Sequence, residues 1–324
     1  MAVLTAIEPE EAGTLAAAYG LGALRALEGI AGGSVNSNFA LETEAGRVFL
    51  RLYEEQDLAG ARRETALLER LAARGVPTPA PLRRADGGLV SELRGKPAAL
   101  FPWRDGHMRC QAGVTPEDAS RVGEALARVH AAGAGEPAAA GRFQYTNLLE
   151  RLDRIAASGD ARFAPLAPSL RASLGEAHAA RDPSLPHGLV HGDLFRDNVL
   201  WAADGSIAAL LDFESACAGT YAYDLMVTVL SWCYGDDFEP DLAAAMREGY
   251  ESVRPLDVRE REGLWAEGCF AALRFTTTRI TDYAMRTGAA GPRVVKDWRR
   301  FRNRFEKLRS LGPTGVRVLL GMPA

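Results

Sequence analysis

Cysteine is scarce in this chain, and excess basic charge is absent. The four cysteines, Cys110, Cys217, Cys233 and Cys269, are widely spaced and form no Cys-x-x-Cys pair, which points away from a zinc site or a disulfide framework. Free thiols in a reducing cytoplasm are the plain expectation. Lys and Arg number 38 against 42 Asp and Glu, a formal charge of -4. Binding to nucleic acid through counterion release needs a clustered basic surface, so a nucleic-acid partner is not expected. Long apolar runs are missing as well. Stretches such as Ala208-Ala209-Leu210-Leu211 are far too short to cross a bilayer, and no membrane partner is expected. The start, Met1 to Thr5, lacks the basic and apolar segments of a secretory leader, so the expected location is the cytoplasm.

What is present is an ordinary globular composition. The 324 residues are 47% hydrophobic and 25% charged, and at about 150 residues per domain this length suggests roughly two domains. The first hundred residues read as strands and turns interrupted by one helix. Phe39–Thr43 and Val48–Tyr53 flank Glu44-Ala45-Gly46, a hairpin signal. A helix is expected from about Leu58 to Arg74, with Ala61, Leu67, Leu68 and Leu71 at helical spacing and Gly75 as the stop. Val76–Pro81 must be extended, because each proline drives its predecessor out of the α region. Two short strands are expected around Ala85-Asp86-Gly87-Gly88, and a third ending at Leu100–Trp103.

From Thr115 onward the chain reads as mostly helical. Thr115-Pro116-Glu117-Asp118 supplies a capping hydroxyl, a first-turn proline and an acid three residues after the cap. The expected class is α+β, with a small strand-rich lobe over residues 1–103 and a larger helical lobe over residues 104–324. A cleft between two such lobes is a favoured place for a ligand.

Residues 188–213 are the most informative. Gly188-Leu189-Val190 is a short apolar strand running into a polar loop, His191 to Asn198. Val199–Trp201 and Ile207–Leu211 are strands joined by an Asp204-Gly205 turn, and the second ends abruptly in Asp212. Asp193, Asn198 and Asp212 at neighbouring strand ends would aim two acids and an amide at one spot. Phosphoryl transfer uses such a set: one acid accepts the attacking hydroxyl's proton, while a carboxylate and an amide oxygen hold Mg²⁺ against nucleotide phosphates. The order Asp-x-x-x-x-Asn and then a strand-end Asp is that of a kinase catalytic loop and metal acid, here as His191-Gly192-Asp193 and Asp212-Phe213-Glu214.

These two segments resemble the aminoglycoside phosphotransferase and choline kinase-like group. Ala222-Tyr223-Asp224-Leu225, Ser231-Trp232-Cys233, Tyr250–Leu256 and Ala272-Leu273-Arg274-Phe275 look more narrowly like that group's bacterial homoserine kinases, and Ser37-Asn38-Phe39, Leu52-Tyr53-Glu54 and Gly95–Leu100 add support. The resemblance spans about Gly29 to Phe305. It implies a two-lobed protein-kinase-like fold, ATP and Mg²⁺ as cofactors, and a phosphotransferase with an alcohol acceptor. The best specific reading is L-homoserine, for threonine biosynthesis. An aminoglycoside, choline or another amino alcohol is the alternative acceptor, and a catalytically dead nucleotide-binding regulator is the competing class. No activation segment that could seat a protein substrate is evident between Asp212 and the helix near Tyr223.

The resemblance also distributes roles. Asp193 would be the catalytic base, Asn198 and Asp212 the metal ligands, and His191 and Asp224 the braces of the loop. Asp197 reads as a solvated acid, and His130 and His187 as helix and surface residues. On the nucleotide side, glycines between Gly29 and Asn38, with Gly32, Gly33 and Ser34 at their centre, would let backbone N–H groups approach phosphates. Arg51 takes the slot of the expected strand lysine, with Glu64 on the following helix as its partner. Phe101 and Trp103 lie where an adenine-contacting linker should be. For an amino-acid acceptor, Arg274 suits a carboxylate. Glu214, Tyr223 and Arg279 are the other candidates, while Trp232 reads as core.

Overall fold

The computed structural model describes residues 3–30, 35–285 and 296–324. Its contacts divide the chain into two compact units. One holds the described residues up to Gly106 together with Ala208–Leu211, and the other holds the remainder from His107 onward.

The first unit contains α1 (Pro9–Ala18), β1 (Leu24–Gly29), β2 (Ser37–Thr43), β3 (Gly46–Leu52), α2 (Leu58–Ala73), β4 (Ser91–Leu93) and β5 (Lys96–Pro102). The strands form one antiparallel sheet in the order β1-β2-β3-β5-β4. The β2–β3 turn closes at Thr43 and Gly46, where the Thr43 hydroxyl donates to the Gly46 carbonyl at 2.8 Å. Leu41, Leu50, Leu52 and Leu100 are fully buried on one face, against Ala12 and Leu15 of α1.

Among the described residues, the first hundred positions therefore hold two helices rather than one. α1 escapes periodicity because its buried positions, Ala12, Leu15 and Ala16, are mostly alanines; what starts it is Pro9 in the first turn and the Glu11 carboxylate accepting from the Glu8 N–H at 2.7 Å. A strand, β1, also precedes the glycine-rich stretch. It is a half-exposed edge strand, so its sequence lacks strict alternation. Of the two strands expected around Asp86, only the following one forms. Before it, Leu82 donates singly to the Leu100 carbonyl at 2.8 Å without building a ladder.

The second unit is helical: α3 (Pro116–Ala132), α4 (Tyr145–Ala157) and α5 (Ala167–Ala179), then β6 (His187–Val190), β7 (Val199–Trp201), β8 (Ile207–Leu210, whose residues after Ile207 belong to the first unit) and β9 (Cys217–Thr220), then α6 (Tyr221–Trp232), α7 (Pro240–Glu251), α8 (Val258–Arg279) and α9 (Arg299–Leu319). α3 begins as its sequence dictates. The Thr115 hydroxyl accepts from the Asp118 N–H at 3.2 Å, and Asp118 accepts from the Thr115 N–H at 3.0 Å. β6 and β9 pair antiparallel from His187–Thr220 to Val190–Cys217. α6 is apolar on nearly every side, with Leu225, Met226, Val227, Val229, Leu230 and Trp232 fully buried, so it forms the spine of this unit. No helix among the described residues is long and apolar enough to cross a membrane.

α3 and α7 cross at glycines. A Cβ on Gly123 would stand 2.0 Å from the Met246 carbonyl oxygen, and one on Gly249 2.0 Å from that of Ser120. Neither obstacle is a side chain that can swing away. Gly249→Ala is expected to cost about 3 kcal/mol, the upper range for overpacking, read as a lowered Tm. An unchanged melt would mean that this crossing carries no close packing.

Candidate active site

The loop His191–Asn198 follows β6 and ends in a single 3₁₀ turn, Arg196–Asn198, that feeds β7. Helix α6 grips it at both ends. In the first turn of α6, the buried Asp224 carboxylate accepts from the His191 N–H at 2.7 Å and the Gly192 N–H at 2.8 Å. In the last turn, Trp232 Nε1 donates to the Leu194 carbonyl at 2.9 Å, and the Ser231 hydroxyl to the same oxygen at 3.3 Å. The Arg196 guanidinium then bonds the Ser231 carbonyl and Gln111 Oε1. Gly192 has φ of 76°, and a Cβ there would meet the Ser215 carbonyl oxygen at 2.9 Å, so only glycine fits that bend.

His191 is fully buried, lies 4.5 Å from Phe213 between ring centroids, and accepts at Nδ1 from the Asp193 N–H at 3.3 Å. His130 is on α3 as expected, and it is 1% exposed. Its Nε2 lies 2.9 Å from Asp224 Oδ2, and its Nδ1 lies 2.7 Å from the Tyr250 hydroxyl. The sequence carried a signal for this, since His130 falls four residues after Leu126 on the apolar stripe of α3. Burial pushes the Asp224 carboxyl upward, but the His130 hydrogen bond and the loop N–H groups outweigh it and hold it below the usual carboxylate range. Burial pushes His130 downward. His187 is exposed.

Asp193 is half-buried. Burial pushes its carboxyl above the usual range, Arg274 and Lys296 pull it down, and the nearby charge of Asp212 pushes it up. Asn198, 8% exposed, donates through Nδ2 to the Asp193 carbonyl at 2.8 Å, which commits the amide nitrogen and leaves the oxygen as its acceptor atom. Asp212 has a left-handed backbone, φ 62° and ψ 66°, at the start of the 3₁₀ turn Phe213–Ser215. Aspartate tolerates this conformation better than bulkier residues. Asp193, Asn198 and Asp212 thus share the second unit. Asp197 is exposed, with Lys296 Nζ 4.0 Å from its carboxylate.

Among the described residues, no three His, Cys, Asp or Glu side chains gather into a metal cage. A carboxylate and an amide oxygen are hard donors that suit Mg²⁺, which takes most of its remaining ligands from water and substrate phosphates.

Beside the loop, a cavity is lined by Gly192, Ser215, Tyr223, Phe143, Arg181 and Arg274 among others. The Tyr223 hydroxyl is pushed up to about 12 by burial. Glu214 is half-buried in the turn after Asp212 and does not line this cavity. Arg279 donates to the Asp297 carbonyl at 3.0 Å and stacks 4.4 Å from the Phe301 centroid; burial lowers it to about 10.

In the first unit, Arg51 Nη1 pairs with Glu64 Oε1 at 3.2 Å, and Gln56 holds the other Glu64 oxygen at 2.8 Å. Phe101, 6% exposed, packs edge-on to Phe49 at 6.3 Å, on the sheet face opposite Leu50 and Leu100. Trp103 lies under the Arg47 guanidinium at 3.7 Å and donates to Asp105 at 3.0 Å. Gly32, Gly33 and Ser34 lie outside the described residues.

Residues 26–257 match the model of the Phosphotransferase enzyme family. The chain belongs to that family. Its curated relatives include the homoserine kinase of Methylobacterium radiotolerans, 39% identical over 87% of this chain and 88% of that protein. The homoserine kinases of Methylocella silvestris (37% identical; 87% and 88% covered) and Caulobacter vibrioides (37%; 87% and 90%) are similarly close. Among solved structures, an amicoumacin kinase superposes with TM-score 0.68 at 15% identity, covering 92% of this chain and 91% of that one. A spectinomycin phosphotransferase superposes with TM-score 0.67 at 13% identity, covering 97% and 98%. The fold of this phosphotransferase is therefore the protein-kinase-like α+β one, as the catalytic-loop pattern implied.

The Asp224 clamp generates a prediction. Asp224→Asn keeps the shape but turns one oxygen into an NH₂ facing a loop N–H or His130. A buried donor facing a donor is expected to cost about 2–4 kcal/mol and to depress phosphotransferase kcat. Both are measurable by thermal melts and steady-state assays. Wild-type values for both would dismiss the clamp.

Proposed function

We propose that this chain is an ATP-dependent homoserine kinase, transferring the γ-phosphoryl of MgATP to the side-chain hydroxyl of L-homoserine to give O-phospho-L-homoserine and ADP. One observation carries the reaction class: an acid, an amide and a second acid on a loop and strand end clamped by α6, in a chain matching the phosphotransferase family over residues 26–257. The acceptor is supported by the homoserine kinases that resemble this chain at 37–39% identity over 87% of its length.

Asp193 orients the acceptor hydroxyl. A primary alcohol stays protonated at neutral pH, so the carboxylate's main contribution is alignment, followed by receipt of the proton as the hydroxyl oxygen bonds to phosphorus and the bridging bond to ADP breaks. Asn198 and Asp212 hold Mg²⁺, which when bound neutralises charge on the phosphates. His191 and Asp224 keep the loop in place. In the first unit, Arg51, anchored by Glu64, is the nucleotide-side cation. It retains the charge of the usual lysine in the form of a planar fork. Gly32, Gly33, Ser34, Phe101 and Trp103 complete the proposed nucleotide side.

Two measurements test this reading. An ADP-release screen across homoserine, serine, choline and kanamycin should give its highest turnover with homoserine; a signal no greater than the blank there, with turnover of another acceptor, would transfer the substrate assignment. Asp193→Asn should lower kcat by about 10²- to 10⁴-fold while ATP still raises the melting temperature. Retained turnover in that variant would remove Asp193 from the mechanism.

A further inference from the structure

The cavity beside Gly192 has a lopsided charge. Two arginines, Arg181 and Arg274, line it, and none of its lining residues is acidic. The two cations are not equivalent. Arg181 is already compensated, with Nε 2.8 Å from the buried Glu267 carboxylate and its guanidinium 4.2 Å from the Phe270 ring. Arg274 is 3% exposed and held between Phe143, at 3.9 Å, and Phe275, at 3.7 Å. Its Nε and Nη1 have no hydrogen-bond acceptor. The nearest carboxylate, that of Asp193, stands 3.8 Å from Nη1, close enough for charge attraction but too far for a hydrogen bond.

A buried guanidinium with two unsatisfied N–H groups is costly unless something supplies the acceptors. A planar carboxylate is the partner whose geometry fits that fork. An ammonium entering the same cavity finds hydroxyls, from Ser215, Thr220 and Tyr223, but no carboxylate among its lining residues.

We infer that this cavity selects acceptors by their carboxylate, through Arg274, and that the acceptor's amino group contributes little to recognition. The substrate class is thus a short hydroxy acid whose hydroxyl reaches Asp193, of which homoserine is the aminated member. Polyamine-like or quaternary acceptors are disfavoured by the sign of the cavity's charge. This inference rests on the homoserine kinase reading and sharpens it.

The test splits homoserine into its two halves. 4-Hydroxybutyrate keeps the carboxylate and drops the amine; 3-amino-1-propanol does the reverse. With the wild-type enzyme, kcat/KM for 4-hydroxybutyrate should exceed that for 3-amino-1-propanol by at least about tenfold, the scale of one charge-assisted hydrogen bond. Where turnover of either is too slow to follow, inhibition constants against homoserine should fall in the same order. Arg274→Gln should raise KM for homoserine by about 10- to 100-fold, leave KM for ATP near its wild-type value, and abolish the preference between the two analogues. Arg274→Lys should recover part of the loss. Equal use of the two analogues, or preference for the amino alcohol, by an enzyme that turns over homoserine would overturn the inference and leave the kinase reading standing. If homoserine itself were not a substrate, that reading would fall, and thermal protection by 4-hydroxybutyrate but not by 3-amino-1-propanol would still decide the cavity's preference. The wild-type comparison needs no variant, so an Arg274 variant that fails to fold leaves the test intact.

Discussion

A single buried carboxylate organises this active site. Asp224 receives the N–H groups of His191 and Gly192, while His130 Nε2 meets the oxygen that accepts from His191. Two consecutive backbone donors at the start of a polar loop would otherwise be stranded inside an apolar unit. Meeting them with a charged acceptor turns a liability into a fixed point, because such charge-assisted bonds are about twice as strong as neutral ones. The fixed point sits on α6, a helix with no solvated face, so the loop inherits the rigidity of the core.

The same helix fixes the far end of the loop. Trp232 and Ser231 hold the Leu194 carbonyl, and Arg196 reaches back to the carbonyl end of α6, where a cation also complements the helix dipole. Between these anchors, the Asp193 backbone is held on both sides: its N–H donates to His191 Nδ1, and its carbonyl accepts from the Phe195 N–H at 2.7 Å. Asn198 ties itself to the Asp193 carbonyl, so the acid and the amide move as one piece. A reaction that depends on alignment and charge neutralisation, with no covalent intermediate, needs this kind of preorganisation more than it needs reactive side chains.

The loop and its flanking strands were legible in sequence because they are local. Asp193, Asn198 and Asp212 punctuate short apolar strands, and few structures place that order of residues there for another reason. The hairpin and the Thr115 cap were legible for similar reasons, being set by neighbours a few positions apart. Three things were not. α1 is built on alanine, whose small side chain gives almost no periodic contrast. His130 reads as an ordinary helix residue until its spacing from Leu126 is matched to a partner, Asp224, that is far away in sequence. The state of Arg274 depends on which groups surround it. A lone arginine in the run Phe270–Phe275 is equally consistent with an internal ion pair or with a ligand site, and only the 3.8 Å gap to Asp193 and the unmet N–H groups separate the two.

The central claim is that Asp193, Asn198 and Asp212 together form a phosphoryl-transfer centre around a divalent ion. A crystal structure with Mg²⁺, a non-hydrolysable ATP analogue and homoserine tests it most directly. The account predicts an ion about 2.0–2.1 Å from both the Asn198 amide oxygen and an Asp212 carboxylate oxygen, with the acceptor hydroxyl in hydrogen-bond reach of Asp193. An ion held by other residues, or an acceptor hydroxyl turned away from Asp193, would contradict it.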